Sequence, residues 1–413
     1  MAVLVHYVWF GVVLFLTAFL ISWMAYPIVL RMARVWGFYD NPDARKLQRR
    51  PVPVMGGLAV FIGILVPTLI LITISFNTTP LIMLLSMAFL FGIGMVDDRI
   101  GLSPGFRFLI EIATIFFLIM SNGSRIDSLH GLWTVGGLPV WVSYLLSIVA
   151  GVGIINAINM IDGVDGYSSG YIIMACTMFA YIFYAEDVYG MAIICLICAG
   201  STVPFFLHNV FGKKAKMFIG DGGTLMLGTL MAAFVFSILK SSSLCANLET
   251  NHNISLIATA LAILSVPVFD TLRVMIYRMA KCSSPFKADK THLHHLFIDL
   301  GFSHIGTTAC CLFFNILVVA SEVIAWKLGA GMETQFYVVV GMSVMVTAVF
   351  YGVVRMSMKR NGAIARALTV LGSKSHVENT ALWKWLRKMV DDELFEEGRH
   401  EHNITDTDDN NNK

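Results

Sequence analysis

Runs of about 20 apolar residues fill most of this chain, and short polar motifs cut them off. Runs of that length cross a hydrocarbon core of about 30 Å as α-helices. A transmembrane β-barrel would show alternating segments of about 10 residues instead. Inside a bilayer only helices and closed barrels satisfy every backbone group. The expected fold is therefore an all-α polytopic membrane protein. Composition agrees: 57% of the 413 residues are hydrophobic and 14% are charged, against about 25% charged in a soluble domain. An ordinary soluble enzyme is excluded.

Eleven spans are expected, near residues 7–28, 56–76, 80–96, 106–121, 138–158, 167–185, 188–207, 218–239, 254–277, 305–327 and 334–354. All but three of the 29 Lys and Arg fall on one side of that threading. The exceptions are Arg125, Lys240 and Lys327. The positive-inside rule makes the crowded side cytoplasmic, with the N-terminus outside and the C-terminus inside. The first span has no Lys or Arg before it, so it reads as an anchor rather than a removed signal peptide. Residues 1–360 are expected to form the transmembrane domain. Residues 361–413 form a polar cytoplasmic tail, with an amphipathic helix near 377–397 and a disordered end. The Asn403 glycosylation sequon falls on the cytoplasmic side and is discounted. Seven cysteines, most of them inside spans, imply no disulfide framework.

The polar motifs share the cytoplasmic side. The first loop carries DNPDARK from Asp40 to Lys46, then Arg49, Arg50 and the Gly56-Gly57 pair. Cations beside a helix start suit phosphate, or they anchor lipid headgroups. Asp97 and Asp98 close the third expected span. Two adjacent carboxylates there are costly to desolvate. They serve as a base, as metal ligands or as a solvated helix end. Arg107 and Glu111 have ion-pair spacing. Asn156, Asn159, Asp162 and Asp165 crowd eleven residues that end in Gly166. Hard cations such as Mg2+ take oxygen ligands of this kind. Phe218 and Asp221 open the eighth span among glycines, without the spacing of a Walker motif. Lys290, His292, His294 and His295 offer donors to sugar and phosphate oxygens. Their spacing lacks the pattern of a zinc site.

Taken together, these motifs resemble the polyprenyl-phosphate N-acetylhexosamine-1-phosphate transferases, over residues 10 to 355. Asp97-Asp98-Arg99 and the SPFKADKTHLHH loop are similar to the bacterial branch that uses UDP-N-acetylglucosamine. The branch that transfers phospho-N-acetylmuramoyl-pentapeptide is the alternative. The resemblance implies transfer of GlcNAc-1-phosphate, or a related sugar phosphate, to undecaprenyl phosphate. UMP is released, in the first membrane step of an envelope polysaccharide pathway. Mg2+ is the implied cofactor, with Mn2+ as substitute. Asn159 and Asp221 are the implied ligands, with Asp162 close by. Asp97, Asp98 and Asp162 are the catalytic candidates. Asp165 and Phe218 recognise and stack on uracil. Arg107, Asn156, Lys290, His292, His294 and His295 bind the nucleotide sugar. Lys46 and Arg49 bind the lipid phosphate or diphosphate. The expected location is the bacterial inner membrane with a cytoplasmic active site. A homodimer is compatible and no nucleic acid is expected. A transporter is the rival class, but its binding groups would sit near the midplane and often in repeats.

Overall fold

The computed structural model describes residues 2–42, 50–75, 78–240, 245–285 and 290–392. The long helices in chain order are α1 (Ala2–Val35), α2 (Gly56–Ser75), α3 (Thr79–Ile100), α4 (Pro104–Asn122), α5 (Val140–Met160), α6 (Tyr167–Ala185), α7 (Tyr189–Phe211) and α8 (Gly220–Leu239). The short α9 (Ala246–Thr250) precedes α10 (Leu256–Ile263) and α11 (Ser265–Ala280). Then come α12 (Leu293–Asp299), α13 (His304–Lys327), α14 (Met332–Val344) and, across a π-helical turn, α15 (Phe350–Lys359). The tail contributes α16 (Ala363–Ser373) and α17 (Ala381–Asp392). Among the described residues, ten helices are long and apolar enough to cross a membrane. The bent pair α10–α11 makes an eleventh if it is counted as one span.

Helix α8 is the axis of the fold, with every residue of its apolar window buried. Small residues let its neighbours come close, as membrane packing favours. A Cβ on Gly57 of α2 would lie 2.5 Å from Gly223 Cα, and one on Gly94 of α3 would lie 2.4 Å from Gly222 Cα. Helices α2, α3 and α5 therefore touch α8 almost backbone to backbone. Helices α1, α6 and α7 pack outside them.

The ninth expected span is not one straight rod. Helices α10 and α11 meet at 76°. Pro267 is the cause, because it has no N–H to give Ile263 and its ring crowds that carbonyl. Tyr171 Oη and Asn315 Nδ2 each donate to the freed Ile263 carbonyl at 3.0 Å, and Asn315 Oδ1 accepts from Val266 N–H at 3.1 Å. The break is thereby satisfied inside protein, as irregular backbone at membrane depth must be. Helix α3 also differs from expectation. It runs past Asp97 and Asp98 to Ile100 and stops at Gly101, whose φ is +68°.

Candidate active site

The starts of α2, α4, α6, α8 and α13 and the ends of α3, α5 and α7 come together at one end of the bundle, around two cavities. Helix starts present free N–H groups and a positive dipole end, which favours anions. A two-residue ribbon, Tyr39–Asp40 with Val52–Pro53, closes one wall. Phe218 N–H donates to Pro53 O, and Gly56 N–H donates to Phe218 O, each at 2.8 Å. The segment before α8 is thus stitched to the start of α2, and this holds Phe218 in the wall.

The first cavity, of about 780 Å³, is lined by Tyr39, Asp98, Asp165, Lys216, Phe218 and His304 among others. The second, of about 490 Å³, is lined by Asp97, Arg107, Asn156, Asn159, Arg278, His292 and His294 among others. Asp162, Gly163, Asp221 and His295 border both. Five separate sequence motifs therefore converge here. Lys46, Arg49, Lys287 and Asp289 lie outside the described residues, as do residues 393–413 with the Asn403 sequon and the end of the expected tail.

The adjacent acids face different partners. Asp98 accepts from the N–H groups of Asp221 at 2.9 Å and Gly222 at 3.3 Å, so it caps α8. Gly220 makes room for it at φ +77°, where a Cβ would sit 2.5 Å from Asp98 Oδ2. Asp97 accepts from Leu102 N–H at 2.6 Å and from Arg107 at 3.2 Å. Arg107 also lies 3.5 Å from Asp221 and 3.6 Å from Glu111. One guanidinium thus serves three carboxylates.

The asparagines divide as well. Asn156 is buried and spends its amide on Glu111 and on Val152 O, at 2.9 Å for the latter. It braces α5 against α4 at the edge of the second cavity. Asn159 donates to Asp221 Oδ1 at 2.7 Å and Thr224 Oγ1 at 2.8 Å. Asp162 follows in the turn after α5 and accepts from Ser168 Oγ at 2.5 Å. Burial pushes its carboxyl up to about 7, against the pull of that hydroxyl. Solvent in the cleft reaches Asp162, so the full rise belongs to a closed, dry cleft.

Asp165 is set the other way. Burial pushes it up, but hydrogen bonding to His304 and the charge of Lys216 prevail and hold it below the usual carboxylate range. Lys216 Nζ is 2.5 Å away and His304 Nδ1 is 2.8 Å away. The same ammonium lies 5.7 Å from the Phe218 ring centroid, within cation–π range.

The histidines sit on or beside α12. His292 Nδ1 is 2.9 Å from Asp270 Oδ2. Asp270 also takes Arg273 at 2.7 Å and the Leu293 N–H, so it fixes the start of α12. His294 is buried and stacks on His292. Burial, with His295 and His292 beside it, holds it well below the usual histidine range, so its ring is neutral. A Cβ on Gly163 would lie 2.5 Å from His294 Nε2, so only glycine admits the ring against that turn. Lys290 is exposed at the near end of the loop.

Sequence reasoning missed Asp270, Lys216 and His304. Asp270 had a readable signal, a lone acid inside an apolar run. Lys216 stands two residues before Phe218, yet reads as one more inward-side cation. His304 has no distinguishing spacing.

Among the described residues, no three His, Cys, Asp or Glu side chains stand close enough to hold a metal by themselves. Asp98 and Asp162 also have no basic side chain within 4 Å among the described residues. This donor set suits a cation that keeps most of its shell elsewhere. Mg2+ does so, with one or two carboxylates plus substrate phosphates. Asp221 and Asp162 are the carboxylates able to serve, with Asn159 supplying oxygen if its amide turns.

Residues 80–239 match the glycosyl transferase family 4. A probable undecaprenyl-phosphate N-acetylglucosaminyl 1-phosphate transferase of Bacillus subtilis is 31% identical over 296 residues, 71% of this chain and 78% of that protein. The chain belongs to glycosyl transferase family 4. The undecaprenyl-phosphate alpha-N-acetylglucosaminyl 1-phosphate transferase of Escherichia coli K12 is 29% identical, over 70% of this chain and 78% of its own. The decaprenyl-phosphate N-acetylglucosaminephosphotransferase of Mycobacterium tuberculosis H37Rv is 31% identical, over 70% and 76%. This family member is thus a multi-pass membrane transferase. The family match spans Asp97 through Asp221, whereas the histidine loop lies beyond it.

Proposed function

We propose that this family 4 transferase moves N-acetylglucosamine 1-phosphate from UDP-N-acetylglucosamine to undecaprenyl phosphate. The observation that carries the reading is the pair of cavities that share Asp162, Asp221 and His295. A two-substrate transfer needs two rooms and a common wall where the reacting atoms meet.

The nucleotide takes the first cavity. Phe218 stacks on uracil, and Asp165, held by Lys216 and His304, accepts from the base N–H. The acceptor phosphate takes the second cavity beside Arg107, Arg278 and His292. An apolar track leads there. Helix α5 lies between α4 and α11, and its exposed Trp141, Leu145 and Val149 recur every four residues toward Gly153 and Asn156. A polyprenyl chain on that track stays in hydrocarbon while its phosphate reaches the polar end.

In the reaction, an oxygen of the lipid phosphate attacks the β-phosphorus of the nucleotide sugar. The bond from that phosphorus to the bridging oxygen breaks, and UMP leaves with the oxygen. The sugar stays on the transferred phosphorus. Bound Mg2+, on Asp221 with Asp162 and Asn159, would neutralise diphosphate charge. The protein positions and neutralises, as phosphoryl transfer generally requires. Arg107 faces the same oxygens, and His294 and His295 close the wall. Asp98 orients Asp221 by capping α8 rather than taking a proton. Its oxygens already accept two amides, and a phosphate monoester with a second pKa of about 6 is largely ionised at pH 7.

The site faces the cytoplasm, where nucleotide sugars are made. The charge asymmetry supports this: all but three of the 29 Lys and Arg fall on the side of the site, and Lys240, one of the three exceptions, follows α8 at the end remote from Asp221, roughly 30 Å away at 1.5 Å per residue. The test is UMP release from UDP-N-acetylglucosamine by purified protein. Release is expected only with both Mg2+ and polyprenyl phosphate present. Release without lipid, or none with both, overturns the reading. Running other UDP-sugars in the same assay fixes the donor.

A further inference from the structure

The segment between α7 and α8 carries Lys216, and it is held from two sides. Helix α1 takes its carbonyls. Tyr26 Oη donates to Ala215 O at 2.8 Å, and Arg34 donates to Lys214 O at 2.7 Å. Its amides go to a residue from the far end of the chain. Asp391 on α17 accepts from the N–H groups of Lys213 at 3.1 Å, Lys214 at 3.0 Å and Ala215 at 2.9 Å. Three successive amides around one carboxylate make an anion nest, filled here by the protein's own tail. The next residue is Lys216, which holds Asp165.

The rest of α17 is seated for this purpose. Val390 is fully buried, and Trp383 packs edge-on against Phe211 at the end of α7, with centroids 4.6 Å apart. The approach to α17 is tied down as well. Ser375 Oγ accepts from Ser303 N–H at 2.8 Å, one residue before His304, the second partner of Asp165. The tail therefore touches the two segments that fix the Asp165 carboxylate, and among the described residues it reaches none of the groups around Asp221.

We infer that Asp391 is a positioning residue for the nucleotide. By nesting the 213–215 amides it sets Lys216, and through Lys216 the Asp165 carboxylate that meets the base. This rests on the assignment of the first cavity to the nucleotide. A residue acting this way alters donor binding and leaves the transfer step alone.

The experiment uses the full-length protein, with Asp391→Ala, Asp391→Asn, Lys216→Ala and the double variant Asp391→Ala/Lys216→Ala. Asp391→Ala raises the KM for UDP-N-acetylglucosamine about tenfold, with kcat within about twofold and the KM for polyprenyl phosphate unchanged. Asp391→Asn keeps one acceptor oxygen and recovers part of the loss, and it stands in if the alanine variant does not fold. The double variant is no worse than Lys216→Ala, because the two residues act in series. An additive double variant, an unchanged donor KM, or equal losses in kcat and in melting temperature overturn the inference. Wild-type protein that releases no UMP overturns the function instead. Direct UDP binding by calorimetry gives a readout free of turnover, and Asp391→Ala weakens it about tenfold.

Discussion

Asp162 and Asp165 stand three residues apart in one turn, and their surroundings drive them in opposite directions. Asp165 has an ammonium and an imidazole beside it, whereas Asp162 has one hydroxyl and a crowded cleft. A folded-state value raised above the ordinary 3.8, reaching about 7 where the cleft is closed and dry, means that the folded protein holds the proton more tightly than the unfolded chain. Stability from this group is then complete below the ordinary value and is lost as pH rises toward 7. Asp162→Asn keeps a neutral side chain at every pH. Its melting temperature should match wild type near pH 4 and exceed it increasingly toward pH 7, while UMP release falls. A constant difference across that range would remove the carboxyl from the argument. Asp98 gives a second test. Asp98→Asn keeps an oxygen for the α8 amides and should retain activity within about tenfold. Asp98→Ala removes the cap, which costs about 1 kcal/mol of stability, and should nearly abolish transfer because Asp221 shifts. A dead Asp98→Asn variant with normal melting would restore Asp98 as a base.

At the scale of elements, the helices were legible because membrane length and hydropathy leave few alternatives. The α10–α11 break was not, although Pro267 stood in plain view. A proline in an apolar run signals a bend only when partners for the freed carbonyl are known, and Asn315 and Tyr171 lie on other helices. The site was legible as a set of motifs. The division of labour within each motif was not, since Asn156 and Asn159 share a face in sequence but meet Glu111 and Asp221 in space. The ribbon at Tyr39–Asp40 and the role of Asp270 likewise depend on distant chain. The track on α5 makes an element-scale prediction. A Cβ at Gly153 meets nothing within 4 Å. Gly153→Leu should therefore fold at least as well, because an exposed helical glycine is disfavoured by about 0.8 kcal/mol. The new side chain stands in the lipid path and should raise the KM for polyprenyl phosphate several-fold, leaving the donor KM unchanged. Normal lipid kinetics would move the chain to another face.

In the proposed reaction the whole molecule solves a partition problem: one substrate is soluble, the other is not, and the reacting phosphorus must be reached from both phases. Placing the cavities at one end of the bundle, with α8 buried behind them, answers it only if that end faces the cytoplasm. The protein carries its own probe of orientation. Of seven cysteines, five are buried, Cys310 is partly covered within α13, and Cys282 alone is exposed. Cys282 follows α11 on the way to the histidine loop, so it reports the side on which the active site opens. A thiol in water reacts as its thiolate, whereas thiols sealed in apolar surroundings are inert. A membrane-impermeant maleimide should label the protein in inside-out vesicles and leave it unlabelled when applied to the outer face of sealed cells. Cys282→Ser should abolish the signal without loss of UMP release. Labelling from outside would turn the bundle over, and the nucleotide would then have to be delivered across the membrane before this protein could use it.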